Sequence, residues 1–529
     1  MICLITPPSV FLLDERVFMN LGILKVAAVL EKRGHSIEFL DLSGIQNYED
    51  VASLYAASSR TMLFGITATT PQLPAAMNIC RAIRSQKPGA KVILGGPHVT
   101  LVNAAYKKEK AKGLKGRAMR AFTQLTDMFD VLVAGDGEEA VFHAVEERSP
   151  KLVDADDSHS TLFLNNTRLN ELPFPSRHLV DVESYHYTID GVRALSMIAQ
   201  LGCPFACGFC GGRESPTFRR IRMRTSENIV SEILHLYHTY KVTGFMLYDD
   251  ELNVNPKMIE LMTQIRKAQE VLGVEFKLRG FIKAQLFTDA QAEAMFQAGF
   301  RWILTGFESG SPRILQNINK TATQEENTRC VEIARKHGLK VKALMSVGHP
   351  GESEETVMET HEWLLRVKPD DLDVAIITTY PGTPYYDHAV KHTSLENVWV
   401  YTYQNTGDRL YSYEVDYSEV ADYYKGDPNG GYNSYVYTDF LSAEQLVYWR
   451  NFIESDIRKR LNIPFNPSAP AIRYEHSMGQ RGSNLPSSIL RMSREFEPTN
   501  MRSDEWALVK EEASSQSLSI GPNVSGTSK

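Results

Sequence analysis

Apolar residues recur through the first 148 positions in short runs rich in Ile, Val and Leu, at 1–6, 36–41, 62–66, 91–94 and 131–134. Runs of that length, separated by helix-length segments, predict five strands alternating with helices. Leu21, Leu24, Ala28 and Leu30 give the first helix one apolar face, and Gly34 ends it. The pattern is that of a doubly wound, Rossmann-like parallel sheet spanning 1–148. Such sheets bind ligands beyond the carboxyl ends of their strands. There the chain places Pro7-Pro8, Thr67-Ala68-Thr69-Thr70, Gly95-Gly96-Pro97-His98 and Gly135-Asp136-Gly137-Glu138. Small residues and hydroxyls at these points let a bulky ligand approach the backbone closely.

Positions 101–130 read as a basic helical insertion with Lys107, Lys108, Lys110, Lys112, Lys115, Arg117 and Arg120 on a solvated face. Positions 149–187 are polar, carry Pro173 and Pro175, and read as a linker. A second alternation fills 188–393, with strands expected at 194–200, 244–248, 275–279, 302–306, 340–347 and 373–378. Six parallel strands with helices outside would form a partial (β/α)6 barrel, with its chemistry at the carboxyl strand ends.

The region 394–480 holds ten tyrosines between 401 and 437, and its turns around 425–431 precede an amphipathic pattern over 441–461. It is expected to be a mostly helical or irregular cap over the substrate, since tyrosine offers rigid apolar area with a polar tip. The alternative is an aromatic satellite core under a long loop. Positions 481–529 turn to Ser, Asn, Pro and Gly and are expected to be largely disordered.

Composition sharpens this picture only in part. The 529 residues are 43% hydrophobic and 23% charged, which is globular, and the net charge of −7 argues against a general nucleic-acid surface. No apolar run has the length of a membrane span, and no basic-then-apolar secretory pattern opens the chain. Six cysteines, three of them close together, make a disulfide framework improbable and a cytoplasmic location the expectation.

Those three, Cys203, Cys207 and Cys210, stand as C-x3-C-x2-C just after the first strand of the second alternation. Three thiolates can hold three corners of a [4Fe–4S] cube and leave one iron open, whereas electron-carrying clusters normally take four. The alternative is structural zinc completed by a distant ligand such as His186. Cys3, Cys80 and Cys330 lie in apolar or helical patterns, where core packing is the default.

The segment Gly202-Cys203-Pro204-Phe205-Ala206-Cys207-Gly208-Phe209-Cys210 resembles the signature of the radical S-adenosylmethionine (SAM) superfamily. The Gly-Gly-Pro-His and Gly-Asp-Gly-Glu loops resemble the cobalamin-binding domain that precedes many radical SAM domains. That resemblance implies a cofactor set of a [4Fe–4S] cluster on Cys203, Cys207 and Cys210, SAM and methylcobalamin. Cobalamin contacts would then come from Pro8, Thr67, Thr69, Thr70, Gly95, Gly96, Pro97, His98, Gly135, Gly137 and Glu138. The Asp-x-His-x-x-Gly motif that supplies an axial histidine is missing, which implies cobalamin with its own base displaced and no histidine on cobalt. By the same resemblance Asp249, Asp250, Glu251, Arg279, Glu308, Ser309 and Gly351, all at strand ends, would lie around SAM. Helix capping explains the acidic trio equally well, a salt bridge explains Arg279, and a Pro-Gly turn explains Gly351.

The implied chemistry is radical methylation of an unactivated carbon, or phosphorus, of a small-molecule intermediate. A 5′-deoxyadenosyl radical takes a hydrogen from the substrate, methylcobalamin donates the methyl group, and flavodoxin or ferredoxin supplies electrons. A cobalamin-dependent cyclase or ring-rearranging enzyme without net methylation is the first alternative. A cluster- or cobalamin-sensing protein that never turns over is the second.

Overall fold

The computed structural model describes residues 1–12, 15–424 and 432–464. The first sheet comprises β1 (Ile2–Thr6), β2 (Ile37–Asp41), β3 (Leu63–Thr67), β4 (Lys91–Gly95), β5 (Val131–Gly135) and β6 (Leu152–Ala155). They lie in the order β2-β1-β3-β4-β5-β6, all parallel. Helices α1 (Leu21–Lys32), α2 (Tyr48–Ser58), α3 (Leu73–Gln86), α4 (Pro97–Ala111), α5 (Arg117–Met128) and α6 (Gly137–Ala144) connect them. Asn20 caps α1 by accepting from the Ile23 amide, and Gly34 leaves the following turn at a φ of 82°. The direction of the sheet reverses between β1 and β3, which opens a crevice at the carboxyl ends.

Two expectations change here. Residues 149–187 are more than a linker, because β6 pairs in register with β5 and closes the sheet edge. Its four residues were too few to stand out as a hydrophobic run. Arg117, read as part of a solvated face, is buried, with its guanidinium carbon 3.7 Å from the Tyr386 ring centre and 3.9 Å from that of Trp399. The cap arrives from almost three hundred residues away to cover it.

The second domain holds β7 (Thr188–Ile189), β8 (Val192–Met197), β9 (Gln200–Leu201), β10 (Arg222–Met223), β11 (Gly244–Leu247), β12 (Lys277–Phe281), β13 (Phe300–Glu308), β14 (Lys340–Val347) and β15 (Asp371–Ile376). The sheet runs β15-β14-β13-β12-β11-β8-β7, with six parallel strands and the short β7 antiparallel to β8. This is the curled half-barrel expected from the alternation, and β9 and β10 form a separate small ladder.

The cap differs from expectation in having a four-stranded antiparallel sheet: β16 (Val390–Lys391), β17 (Val398–Thr402), β18 (Arg409–Tyr413) and β19 (Val436–Thr438). Tyr401, Tyr411, Tyr413 and Tyr437 are strand residues, with Tyr411 stacked on Tyr437 at 4.7 Å. The expected helix is present as Ala443–Leu461. It packs along β15, where Arg450 donates to the Val374 carbonyl at 2.7 Å and Arg458 to the Leu372 carbonyl at 2.5 Å. The open edge of the half-barrel is thereby covered. The turns at 425–431 and the tail at 481–529 lie outside the described residues.

Candidate active site

The cysteine loop leaves β9 through Gly202, whose φ of 86° and missing Cβ let the Arg220 backbone pass against it. Backbone bonds then fix it from several directions. Cys203 donates to the Phe218 carbonyl at 2.9 Å, Gly208 to Ile318 at 2.7 Å, Gly212 to Gly382 at 2.9 Å, and Tyr385 donates to Gly208 at 3.2 Å. Burial pushes the Cys203 thiol up to about 11. The Cys210 thiol is raised as well, by desolvation first and then by Cys207 and Cys203. Thiols that resist ionisation in a bare pocket become thiolates once a cationic centre is there to balance them.

No three His, Cys, Asp or Glu side chains among the described residues converge as ligands of a single metal ion. The zinc arrangement with His186 is therefore not assembled; the His186 ring instead lies 3.1 Å from the Ser184 carbonyl.

Beside this loop opens a cavity of about 930 Å³ bounded by both domains. Its first-domain wall includes Thr67, Thr69, Thr70, Gly95, Gly96, Pro97, Gly135, Gly137 and Glu138. On the barrel side, Met246, Tyr248, Phe281, Leu304 and Leu344 form an apolar face, and Asp250 and Glu232 are acidic residues of the lining. The cavity also continues as a slot against the first sheet, between Leu4, Gly65, Ile93 and Val133 of its strands and Ile23, Val26 and Val141 of its helices. Gly65 keeps that slot open, since a Cβ there would come 2.8 Å from Leu4. Small residues at the mouth and apolar residues further in fit a large, flat ligand such as a corrin ring. Pro8 and His98 stand apart from this wall. The Pro7 carbonyl, next to Pro8, binds the Gln72 amide at 3.1 Å. His98 is buried, lies 3.1 Å from the Thr70 hydroxyl, and is pushed down to about 3 by burial. It is a neutral packing residue behind the loop.

The acidic trio divides its labour. Asp249 Oδ1 accepts from the Ala199 and Gln200 amides at 2.7 and 2.6 Å, bracing the chain where it enters the cysteine loop. Burial pushes Asp249 up to about 7 in spite of those two donors. Asp250 is exposed to the cavity. Glu251 is pushed up to about 7 by burial, opposed by Lys320 and Lys283. Arg279 donates to the Tyr187 hydroxyl at 3.0 Å inside the barrel. Glu308 stands at a φ of 66° where the register of β13 shifts between Gly306 and Glu308, bonded to Lys320 at 3.1 Å and to the Ser346 hydroxyl at 2.9 Å. Ser309 and Gly351 turn elsewhere. The Ser309 hydroxyl meets Thr360 at 2.9 Å in the core, and Gly351 packs so closely that a Cβ would meet Asp408 of the cap at 2.7 Å.

Comparison with known proteins agrees with this geometry. Residues 197–364 match the model of the Radical SAM superfamily, and residues 15–126 match that of the B12 binding domain. The chain belongs to the cobalamin-binding radical SAM enzymes. An uncharacterised methyltransferase of Pyrococcus horikoshii is 26% identical over 71% of this chain and 79% of its own length. An anaerobic magnesium-protoporphyrin IX monomethyl ester cyclase of Cereibacter sphaeroides is 26% identical over 60% of this chain, which spans 52% of that longer protein. The fold is similar to that of the radical SAM methyltransferase TsrM of Kitasatospora setae, solved with cobalamin and a [4Fe–4S] cluster. The TM-score is 0.57 at 17% identity, covering 77% of this chain and 81% of that one.

A radical SAM enzyme with this domain order works with a [4Fe–4S] cluster, SAM and cobalamin. The site also contains three buried cations. Arg222, on the ladder beside the cysteine loop, forms a buried ion pair with Asp136 of the Gly-Asp-Gly-Glu loop. Lys283 and Lys320 are buried near the cysteines. Lysines after a strand and after a turn carry no local signature of burial, so only the fold brings them in. No helix among the described residues is long and apolar enough to cross a membrane.

Proposed function

We propose that this enzyme is a cobalamin-dependent radical SAM methyltransferase acting on an unactivated carbon, or phosphorus, of a small molecule. The observation that carries the reading is the single cavity walled jointly by the small-residue loops of the first sheet and the apolar lumen of the barrel, beside the cysteine loop. When bound, the cluster with SAM supplies a 5′-deoxyadenosyl radical, and cobalamin supplies the methyl group. A substrate in one shared cavity is within reach of both.

The chain's own residues bind, orient and keep water out. Cys203, Cys207 and Cys210 hold the cluster. Asp250, exposed on the cavity side, accepts hydrogen bonds from the ammonium group of SAM, while Asp249 braces the strand end behind it. Gly95, Gly96, Gly135 and Gly137 admit the corrin, and Thr67, Thr69 and Thr70 offer it hydroxyls. Phe281, Leu304, Leu344 and Met246 form a dry wall against which an apolar part of the substrate packs. Flavodoxin or ferredoxin is the electron donor this chemistry calls for.

The protein, reconstituted without oxygen and supplied with SAM, cobalamin and a low-potential reductant, tests the reading. Methylated product together with S-adenosylhomocysteine and 5′-deoxyadenosine supports it. The similarity to a protoporphyrin ester cyclase favours a second reading, cyclisation or rearrangement without net methylation. In that case 5′-deoxyadenosine forms without S-adenosylhomocysteine. A Cys207→Ala variant forming deoxyadenosine at the wild-type rate excludes both.

A further inference from the structure

Lys283 follows β12 and is only 2% exposed. Its backbone is clamped on both sides by one side chain: its amide donates to Asn253 Oδ1 at 2.7 Å, and its carbonyl accepts from Asn253 Nδ2 at 2.9 Å. The ammonium group lies 4.3 Å from the centre of the Phe205 ring, which sits between Cys203 and Cys207 in the cysteine loop. Among the described residues its ammonium has one hydrogen-bond partner, the Lys320 carbonyl, at 3.5 Å. The carboxylate in this neighbourhood that pairs with a cation, Glu308, is taken by Lys320. Among the described residues no carboxylate oxygen lies within ion-pair distance of Lys283 Nζ. A buried ammonium normally has such a partner, because desolvating a charge is costly. Burial, and then the neighbouring Lys320, push the Lys283 ammonium down, and Cys207, Glu251 and Cys203 oppose that shift.

We propose that Lys283 is a positioning residue acting through the iron–sulfur cluster, a fixed cation that raises the cluster's reduction potential into the range of its electron donor. The inference rests on the functional reading above. Reduction adds one electron from a flavodoxin- or ferredoxin-type donor and neither makes nor breaks a covalent bond. A fixed positive charge beside the thiolates therefore favours the state with the extra negative charge, and burial keeps water from screening it. The Phe205 face and the Asn253 clamp hold the charge in place. Lys283 thus does for the cluster what a carboxylate would do for a buried lysine elsewhere, with the signs reversed.

The test uses the full chain, reconstituted anaerobically as wild type, Lys283→Met, Lys283→Gln and Lys283→Arg. Iron and sulfide are measured per chain, and the reduced cluster is followed by electron paramagnetic resonance across a potential titration. At the wild-type midpoint the reduced-to-oxidised ratio is expected to fall about tenfold in Lys283→Met and Lys283→Gln, equivalent to 59 mV for a one-electron couple. Lys283→Arg, which keeps the charge, is expected to restore the ratio to within about twofold of wild type. An unchanged ratio in either neutral variant with wild-type iron content overturns the proposal. So does failure of both neutral variants to load iron while they remain folded by circular dichroism, which would make Lys283 an assembly residue. A wild-type cluster whose spectrum ignores added SAM would defeat the functional reading itself. A SAM-responsive cluster with an unshifted midpoint in the neutral variants would defeat this inference alone.

Discussion

Arg222 and Asp136 meet in a buried ion pair across the boundary between the two α/β domains. Asp136 precedes α6 at the end of β5, and Arg222 pairs with Leu201 one residue before the cysteine loop begins at Gly202. The pair therefore ties a loop of the cobalamin side directly to the root of the cluster loop. Arg222 also donates to the Thr217 carbonyl at 2.7 Å, and the Leu164 amide supports Asp136 at 3.3 Å.

Removing one partner leaves the other charge buried without its mate, which costs about 3–5 kcal/mol. Arg222→Met is expected to lower the unfolding free energy measured in urea by that much and to reduce bound cobalamin and iron together. The double variant Arg222→Met with Asp136→Leu is expected to regain part of the stability. Equilibrium denaturation with cofactor analysis of the three proteins checks both.

Gly96 holds a φ of 98°, and a Cβ there would come 2.8 Å from the Ala68 amide and 2.6 Å from the Thr67 hydroxyl. Gly96→Ala forces the two strand-end loops apart, at about 1–3 kcal/mol for the strained backbone alone. Cobalamin retained per chain after gel filtration is expected to drop sharply while iron content stays near wild type. Equal retention of cobalamin would show that the loop does not bear on the corrin.

Arg117 is sandwiched between Tyr386 and Trp399 and donates to the Tyr386 carbonyl at 2.7 Å. Each desolvated cation–π contact is worth up to about 2 kcal/mol. Arg117→Ala is expected to loosen the cap, so that limited proteolysis cuts first between β16 and β18. Arg117→Lys is expected to rescue it poorly, because an ammonium group cannot stack as a planar guanidinium does.

Glu352 is buried, and burial pushes its carboxyl from the ordinary 4.5 up to about 7. A carboxyl whose folded value is raised favours the folded state when protonated. Its contribution is complete below about 4.5 and is lost as pH rises through about 7. The loss amounts to roughly 3 kcal/mol at most. Glu352→Gln keeps the neutral form at every pH. It is expected to match wild type near pH 5 and to exceed it near pH 8 in urea denaturation; equal stabilities at both pH values would contradict the assignment.

The strands of both parallel sheets were legible because buried parallel strands are near-continuous apolar runs, as at 62–66 and 244–247. The short strand Leu152–Ala155 was not, since its pattern of two buried and two half-buried residues resembles any polar connection. The cap sheet was hidden for another reason. Its strands are half-exposed and built of tyrosine, a residue equally at home in a loop under an aromatic cluster. Among the candidate site residues, the cysteines and the glycine loops were readable because ligand spacing and strand-end position are local properties. The placement of His98, Ser309 and Gly351 away from the cavity was not, because local sequence does not say toward which side a residue at a strand end turns.

The sequence by itself determined that two alternating α/β units stand in a fixed order and that three thiols lie within eight residues after the first strand of the second unit. Those features depend on near neighbours along the chain. Only the tertiary structure decided that Asp136 would find Arg222, that Arg117 would be covered by the cap, and that Lys283 would lie buried over Phe205 without a carboxylate. Burial is conferred by segments far apart in the chain, and a charged side chain carries no mark in its own neighbourhood of whether water or protein will surround it.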